Sequence, residues 1–290
     1  MLAQLIAFLG VIIHTLSAPA PLIVSRSIPM ATVAGAPEIN AESVFLIDMA
    51  RGEILFAKNA DDPRPIASIT KLMTALTILD SRPNWGKEAM FEKQDQRYGD
   101  IAYLLPGEKL AFEDAWKLML VSSSNDAATL LARAAFNSEA RFVEEMNKKA
   151  AAFGLRFTRF VDPTGLKAEN ISTAREVAAL ARAALSFPKI RNTVTQERFT
   201  FAPVGGAHRT VFSTDWLLRS FKMPGVEVFG GKTGHIEESK YNLVFAAGND
   251  GHELIGVVLG SEDNAARFSE MNKLIKWGFS AVPKEQSLGD

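Results

Sequence analysis

The segments that resemble β-strands lie in two groups at opposite ends of the chain, and this arrangement constrains the fold more than any other feature. Each run is short, rich in β-branched and aromatic residues and bounded by turn residues. The runs cover residues 43–48, 53–58, 226–235, 241–247 and 253–260. Because a lone hairpin is marginally stable in water, the two groups are expected to pair in one mostly antiparallel sheet of about five strands.

The long middle of the chain is predicted to be mostly helical, over about residues 90–190. Apolar residues there recur at the three- and four-residue spacing of a helix face, and Thr173-Ala-Arg-Glu176 has the form of a capping box. The predicted helices start at Ser68, cover 112–121 and 126–136, run from Ser138 to Gly154 and from Thr173 to Pro188, and end with 264–279. The fold class is therefore α/β, of the α+β type, with helices flanking one sheet.

The N-terminal segment has the pattern of a secretory signal peptide, predicted over residues 1–20. An apolar run from Leu2 to Leu16 ends in the small residues Ser17-Ala-Pro-Ala20, and an Ala-, Pro- and Ser-rich linker is predicted over 21–40. No Lys or Arg precedes Leu2, so a buried helix and an uncleaved membrane tether stay open as alternatives. The run is shorter than the ~20 residues that span a bilayer, which favours export to the periplasm or cell envelope over membrane association.

Charge and composition exclude several classes of protein. The net charge of −1 argues against nucleic acid as a partner, because nucleic-acid-binding proteins carry a basic excess. The chain has no cysteine, which rules out disulfides, thiol catalysis and thiolate metal sites. Its four histidines lack the spacing of metal ligands, so neither a metal nor another cofactor is expected.

The segment Ser68-Ile-Thr-Lys71 is a candidate reactive site at the start of a predicted helix. Residues at i and i+3 share a helix face, so the amine can reach the hydroxyl. A serine hydroxyl needs a neighbouring base, and lysine serves only when its pKa falls from about 10.4 towards ~7–8. Alone, the motif fits equally well a helix cap with a solvated lysine. Ser186-Phe-Pro-Lys189 repeats the spacing with a proline that breaks the helix.

Two further polar motifs lie later in the chain. Ser123-Ser124-Asn125 lies between two predicted helices, where a hydroxyl and an amide can relay a proton and hold a substrate amide; an ordinary turn and helix cap is the alternative. Gly230-Gly-Lys232-Thr233-Gly234 interrupts an apolar strand. Glycine inside a strand often marks the close approach of a ligand, and a cation beside a hydroxyl suits a carboxylate. A bulge with a surface lysine is the alternative.

The three motifs together, SxxK, SxN and KTG in this order, form the signature of penicillin-binding proteins and class A β-lactamases. Over roughly residues 41–260 the chain resembles the low-molecular-mass penicillin-binding proteins, which are serine-type D-alanyl-D-alanine carboxypeptidases and endopeptidases of peptidase family S11. The segments that carry the resemblance are 65–75, 106–109, 121–127, 162–166, 172–175 and 232–235. The resemblance implies the β-lactamase/transpeptidase-like fold, with a catalytic domain over 41–283 and no C-terminal β domain.

The resemblance also implies a role for each motif residue. Ser68 would be acylated, Lys71 would be the base, and Ser123 would transfer protons. Asn125 would hold the substrate amide. Lys232 and Thr233 would bind the terminal carboxylate, and Gly234 would lie beside them. The backbone N–H groups of Ser68 and His235 would form the oxyanion hole. The implied partners are peptidoglycan peptides as substrates and β-lactam antibiotics as covalent inhibitors.

Removal of the terminal D-alanine from peptidoglycan stem peptides is thus the expected activity, and cleavage of D-alanyl cross-links is the alternative. Ser124 stands where many carboxypeptidases of this group have glycine, and the segment 235–240 is unusually charged. Class A β-lactamases deacylate with a glutamate-activated water, and no matching Glu-x-x-x-Asn element lies between the second and third motifs. A non-catalytic penicillin-binding module is the remaining alternative.

Overall fold

The protein is described by a computed structural model that covers residues 35–97, 101, 103–249 and 251–282. The predicted signal peptide and all of the predicted linker before residue 35 lie outside the described residues. Within the described ranges, no helix has the length and apolar character needed to cross a bilayer.

The predicted helices and strands occur in the predicted order, and the described residues also form six short strands and two short helices that the sequence patterns did not identify. The strands are β1 (Ser43–Asp48), β2 (Glu53–Lys58), β3 (Arg64–Pro65), β4 (Glu88–Met90), β5 (Lys109–Ala111), β6 (Ile171–Ser172), β7 (Arg198–Phe201), β8 (Arg209–Phe212), β9 (Glu227–Ile236), β10 (Lys240–Asn249) and β11 (His252–Ser261). The helices are α1 (Lys71–Asp80), α2 (Phe112–Val121), α3 (Asn125–Phe136), α4 (Glu139–Ala152), α5 (Ala174–Leu185), α6 (Pro188–Val194), α7 (Leu217–Ser220) and α8 (Asn264–Ala281).

The main sheet joins the two ends of the chain, as the separated strand groups predict. Its order is β2-β1-β11-β10-β9, and every neighbouring pair is antiparallel. The link is the pairing of β1 with β11, in which Ser43 faces Leu259 and Asp48 faces Leu254. The predicted fold class, an α+β fold with one antiparallel five-stranded sheet flanked by helices, is confirmed.

Both faces of this sheet are covered, which explains why every residue of β1 is buried. Because side chains alternate along a strand, Val44 and Leu46 contact the apolar face of α8. Phe45 and Ile47 point the other way and pack against the helical middle region. The sheet is therefore the central layer between α8 and the remaining helices.

The start of the first helix differs from the prediction. A 3₁₀ turn, Ala67–Thr70, comes first, and α1 begins only at Lys71. The cap residue of the turn is Ile66, so Ser68 is not the helix cap that the simpler interpretation of its motif required. This turn packs against β9 at one edge of the sheet. The fold thus brings the first and third motifs together.

Candidate active site

The 3₁₀ turn places Ser68 and Lys71 on the same side of the chain. Side chains at i and i+3 are eclipsed in a 3₁₀ turn, and the Lys71 Nζ lies 2.9 Å from the Ser68 Oγ. Ser68 is half-buried, whereas Lys71 is completely buried. The lysine therefore does not lie on a solvated face. A buried amine beside a hydroxyl that solvent can reach is the geometry that a lysine base requires.

Two further oxygens accept hydrogen bonds from the Lys71 amine. One is the Asn125 Oδ1 at 2.6 Å, and the other is the Thr164 carbonyl oxygen at 2.9 Å. Because Asn125 opens α3, the first two sequence motifs are joined by a direct hydrogen bond. The three acceptors fix the amine in one position relative to the Ser68 hydroxyl.

The Thr164 carbonyl belongs to a loop that the Asp162 carboxylate organises. Asp162 accepts hydrogen bonds from the backbone N–H groups of Thr164, Gly165 and Lys167, at 2.6 to 2.9 Å, and from the Asn170 side chain at 2.9 Å. Hydrogen bonds of this kind favour the ionised form, and they hold the pKa of Asp162 below its usual value despite its burial. The sequence identified this segment only through its family resemblance.

The break between α2 and α3 presents Ser123 towards the same site. Ser123 has a φ of 64°, in the left-handed region, and Ser124 caps α3 by accepting a hydrogen bond from the Ala127 N–H. Ser124 is therefore the helix cap, and Asn125 is the first residue of α3. With Ser124 as the cap, the Ser123 side chain contacts the third motif, where the Lys232 Nζ lies 2.7 Å from its Oγ.

The glycines of the third motif let β9 lie close to its neighbours. A Cβ on Gly234 would lie 2.7 Å from the Ile66 carbonyl oxygen and 3.1 Å from the Ser68 N. A Cβ on Gly231 would lie 1.9 Å from the Val244 carbonyl oxygen on β10. The sequence attributed this close approach of the backbone to a ligand. In the structure it is an approach to the turn that carries Ser68 and to the next strand.

Lys232 is buried at the centre of the cluster, which rules out the surface lysine that the simpler interpretation of its motif required. Its amine also donates a hydrogen bond to the Thr233 carbonyl oxygen at 3.0 Å. Burial holds the pKa of Lys232 well below that of a free lysine, and the nearby charges of Lys71 and Arg267 add to the effect. The Thr233 hydroxyl is 2.6 Å from that of Thr214.

Asp215 and Arg267 complete the charged cluster, and the sequence patterns identified neither. Arg267, on α8, donates hydrogen bonds to the carbonyl oxygens of Gly234 at 3.0 Å and Asn242 at 3.3 Å, and burial lowers its pKa to about 10. Burial raises the pKa of Asp215 to about 6, against the opposing influence of Lys232 and Arg267. Arg267 lies four residues before Met271, on the buried face of α8. This spacing is the feature of the sequence that could have identified Arg267.

His235 differs from the other motif residues because its side chain is exposed. Its ring stacks on Tyr241 with a centroid distance of 4.0 Å. Partial burial, aided by the charge of Arg267, lowers the pKa of His235, so its ring is neutral at neutral pH. The expected contribution of His235 is a backbone N–H group, and Gly234 brings this part of β9 against the Ser68 turn.

Comparisons with known proteins agree with this arrangement. Residues 30–263 match the family model described as D-alanyl-D-alanine carboxypeptidase, Peptidase_S11. The chain is 32% identical over 251 residues to the D-alanyl-D-alanine carboxypeptidase DacF of Bacillus subtilis, covering 83% of this chain and 62% of that protein. It is 34% identical over 250 residues to the D-alanyl-D-alanine endopeptidase of Haemophilus influenzae, covering 83% of each.

Among solved structures, the Streptomyces K15 DD-transpeptidase is similar with a TM-score of 0.77 and 31% identity, over 84% of this chain and 99% of that one. The chain thus spans less than two thirds of the carboxypeptidase DacF but nearly all of the transpeptidase. The matched region contains all three motifs and the turn, loop and strand that bring them together. The chain therefore belongs to the D-alanyl-D-alanine carboxypeptidase family, peptidase family S11.

Proposed function

We propose that the protein is a serine-type D-alanyl-D-alanine carboxypeptidase that removes the terminal D-alanine from peptidoglycan stem peptides through an acyl-enzyme on Ser68. The observation that carries this proposal is the buried Lys71 amine, 2.9 Å from the half-buried Ser68 hydroxyl. The catalytic domain is proposed to cover residues 41–283, as the sequence predicts.

The geometry supports a two-step reaction. In the first step the Ser68 Oγ attacks the carbonyl carbon of the penultimate D-alanine while Lys71 takes the hydroxyl proton. Ser123, hydrogen-bonded to Lys232, passes a proton to the departing amine of the last D-alanine. The developing oxyanion would lie between the backbone N–H groups of Ser68 and His235. In the second step water attacks the ester, which releases the shortened peptide and restores Ser68.

Substrate binding is assigned to the polar side chains around these groups. Asn125 would hold the substrate amide next to the nucleophile. Lys232 and Thr233 would bind the terminal carboxylate, because a cation and a hydroxyl together suit an anionic oxygen. Gly234, which tolerates no side chain against the Ser68 turn, would keep these groups and the nucleophile at a fixed separation.

A D-alanyl-D-alanine endopeptidase that cuts peptidoglycan cross-links is the second candidate. The observation that favours it is the similarity to relatives with that name. The chain is 34% identical to the Haemophilus influenzae endopeptidase and 32% identical to the Bacillus subtilis carboxypeptidase. Both activities use the same acyl-enzyme and differ in the leaving group, which is free D-alanine in one case and a cross-linked peptide in the other.

Purified enzyme incubated separately with pentapeptide monomers and with cross-linked dimers distinguishes the two candidates. Chromatographic detection of free D-alanine from the monomers is the expected result. Efficient cleavage of dimers with the pentapeptide left intact would establish the endopeptidase instead. Failure to cleave either substrate, together with failure to become labelled by penicillin, would contradict both.

The same chemistry supports two further proposals. β-Lactam antibiotics would acylate Ser68 and act as covalent inhibitors, since their reactive amide replaces the D-alanyl-D-alanine bond.

An enzyme that acts on peptidoglycan would be located in the cell envelope. The pattern of residues 1–20 favours export to the periplasm with cleavage near Ala20. Mass spectrometry of the protein from its host tests export, because an intact Met1 would contradict cleavage.

A further inference from the structure

Asp215 is a buried carboxylate that has no part in the reaction proposed above. It comes directly after Thr214, whose hydroxyl oxygen is 2.6 Å from that of Thr233. Asp215 is 3% exposed, and its Oδ1 accepts a hydrogen bond of 2.9 Å from the Leu217 N–H. Its Oδ2 is buried and has no hydrogen-bond partner among the described residues. Burial of a carboxylate with one unpaired oxygen lowers the stability of the fold. Buried acidic groups without full hydrogen bonding occur often at functional sites.

Two cations near the proposed carboxylate-binding residues influence Asp215. Lys232 on β9 and Arg267 on α8 each lower its pKa, against the larger effect of burial. The charge of Lys71 on α1 in turn lowers the pKa of Lys232, and the charge of Arg267 lowers the pKa of His235. Arg267 is also held against the Gly234 carbonyl, directly after Thr233. Asp215 is therefore the carboxylate that offsets the positive charge of the proposed anion-binding group.

We propose that Asp215 is a specificity-determining residue whose ionised carboxylate weakens the hold of Lys232 and Thr233 on a free terminal carboxylate. The proposal rests on the function proposed above and deepens it. When Asp215 is charged, a peptide that ends in a carboxylate loses its electrostatic advantage over one that continues beyond the D-alanine. The discrimination between stem-peptide ends and cross-links then depends on pH through this side chain.

The direction of the pH effect is set by the charge. Below about pH 6 Asp215 is protonated and no longer offsets the positive charges of Lys232 and Arg267. Above about pH 6 the ionised carboxylate offsets those charges and weakens the attraction of the site for the substrate carboxylate. Binding of the anionic peptide is therefore tighter in the acidic range.

The test compares KM for two substrates, a peptide ending in D-alanyl-D-alanine with a free carboxylate and the same peptide with a C-terminal amide. In the wild type, the ratio of amide KM to carboxylate KM is expected to fall by about tenfold between about pH 5 and pH 8. In Asp215→Asn, which can keep the bond from Leu217, the ratio is expected to fall much less. Effects on Lys71 and on general catalysis cancel in the ratio, and the lowered pKa of Lys232 acts in both proteins, so the difference between the two profiles reports on Asp215.

Glu238→Gln is the matched control, because it removes one negative charge from the exposed turn after β9. Its ratio of amide KM to carboxylate KM is expected to change with pH as the wild-type ratio does. A wild-type ratio that is flat between these pH values would overturn the proposal without any variant, as would an Asp215→Asn ratio that tracks the wild-type profile. Failure of the proposed function is a different result, in which the wild type hydrolyses neither peptide and is not acylated by penicillin.

Discussion

The two hydroxyls proposed to react sit next to strained backbone. Ala67, directly before Ser68, has a φ of 47°, and Ser123 itself has a φ of 64°. Residues other than glycine avoid this left-handed region at a cost of order 1–3 kcal/mol, so surrounding contacts must hold them there. Those contacts are the Lys71 and Lys232 hydrogen bonds and the close packing of Gly234 on the turn. These contacts fix the positions of both hydroxyls in the structure without a bound substrate.

Replacing the proposed nucleophile tests this site at the residue scale. Ser68→Ala is expected to abolish both peptidase activity and covalent labelling by penicillin, with a circular dichroism spectrum like that of the wild type. The matched control is Ser186→Ala, taken from the sequence that repeats the SxxK spacing. There the Ser186 hydroxyl donates to the Ala183 carbonyl oxygen, and Lys189 is paired with Glu113. Ser186→Ala should label normally, and wild-type labelling of Ser68→Ala would refute the assignment.

The loop between residues 162 and 167 shows what an element without regular secondary structure contributes. It supplies the Thr164 carbonyl to Lys71, and its Pro163 carbonyl accepts a 2.7 Å hydrogen bond from Thr74. Gly165 packs directly on the turn that carries Ser68. A Cβ there would lie 2.0 Å from the Ala67 carbonyl oxygen and 2.8 Å from the Ser68 N. The loop therefore positions both the proposed base, Lys71, and the backbone N–H proposed for the oxyanion hole.

Gly165→Ala should reduce the rate of penicillin acylation by at least about tenfold and destabilise the fold by more than the ~1 kcal/mol that a positive φ costs alanine. Gly154→Ala is the matched control. Its φ of 74° is similar to the 87° of Gly165, but no other atom of the described residues lies within 4 Å of the added Cβ. Urea unfolding and stopped-flow acylation measure the two effects. Equal losses in both variants would show that backbone conformation alone, and not contact with the turn, explains the result.

Local patterns in the sequence predict the individual helices and strands well. They do not predict the contacts between segments that lie far apart in the chain. The bounds of α2 and the two-group sheet could be predicted from the apolar spacing and turn residues of the sequence. The Thr164 carbonyl that accepts from Lys71 could not, because it lies 93 residues further along the chain. The influence of Arg267 on Asp215 arises only after β9 and α8 have packed. The buried position of Arg267 on the same face of α8 as Met271 was the visible trace of this cluster.

At the scale of the whole molecule, burial of these charges costs stability. Lys232 and Arg267 are buried beneath the sheet edge with pKa values below those of free side chains, which means that the fold disfavours their charged forms. Asp215 also prefers its neutral form, since burial raises its pKa to about 6. The sheet that joins β1 to β11 across the length of the chain supplies the apolar packing that offsets these terms. Proteins commonly tolerate such costs at functional sites.

Asp215→Asn is therefore expected to stabilise the protein at neutral pH while changing its specificity. The folded pKa of about 6 exceeds the reference value of 3.8, so the stability contributed by the protonated form is complete below about pH 4 and is lost as the pH rises through about 6. The difference of about two pKa units corresponds to about 3 kcal/mol, and attraction to Lys232 and Arg267 is already included in it. The pKa of Asp162 is lowered, so the effect of this residue on stability has the opposite pH dependence. Its stabilising contribution is lost only as the pH falls into stronger acid. This loss is the same in the wild type and in the variant.

Urea unfolding of the wild type and of Asp215→Asn across about pH 4 to 8 measures this difference directly. The two unfolding free energies should agree at about pH 4, separate as the pH rises to about 6 and differ by a constant amount above it, with the variant more stable. A variant that is less stable at neutral pH would mean that the carboxylate is needed to hold the two cations in place. Since asparagine cannot ionise, a constant difference at every pH would trace the effect to a lost contact instead of a charge, and the electrostatic account of Asp215 would then be wrong.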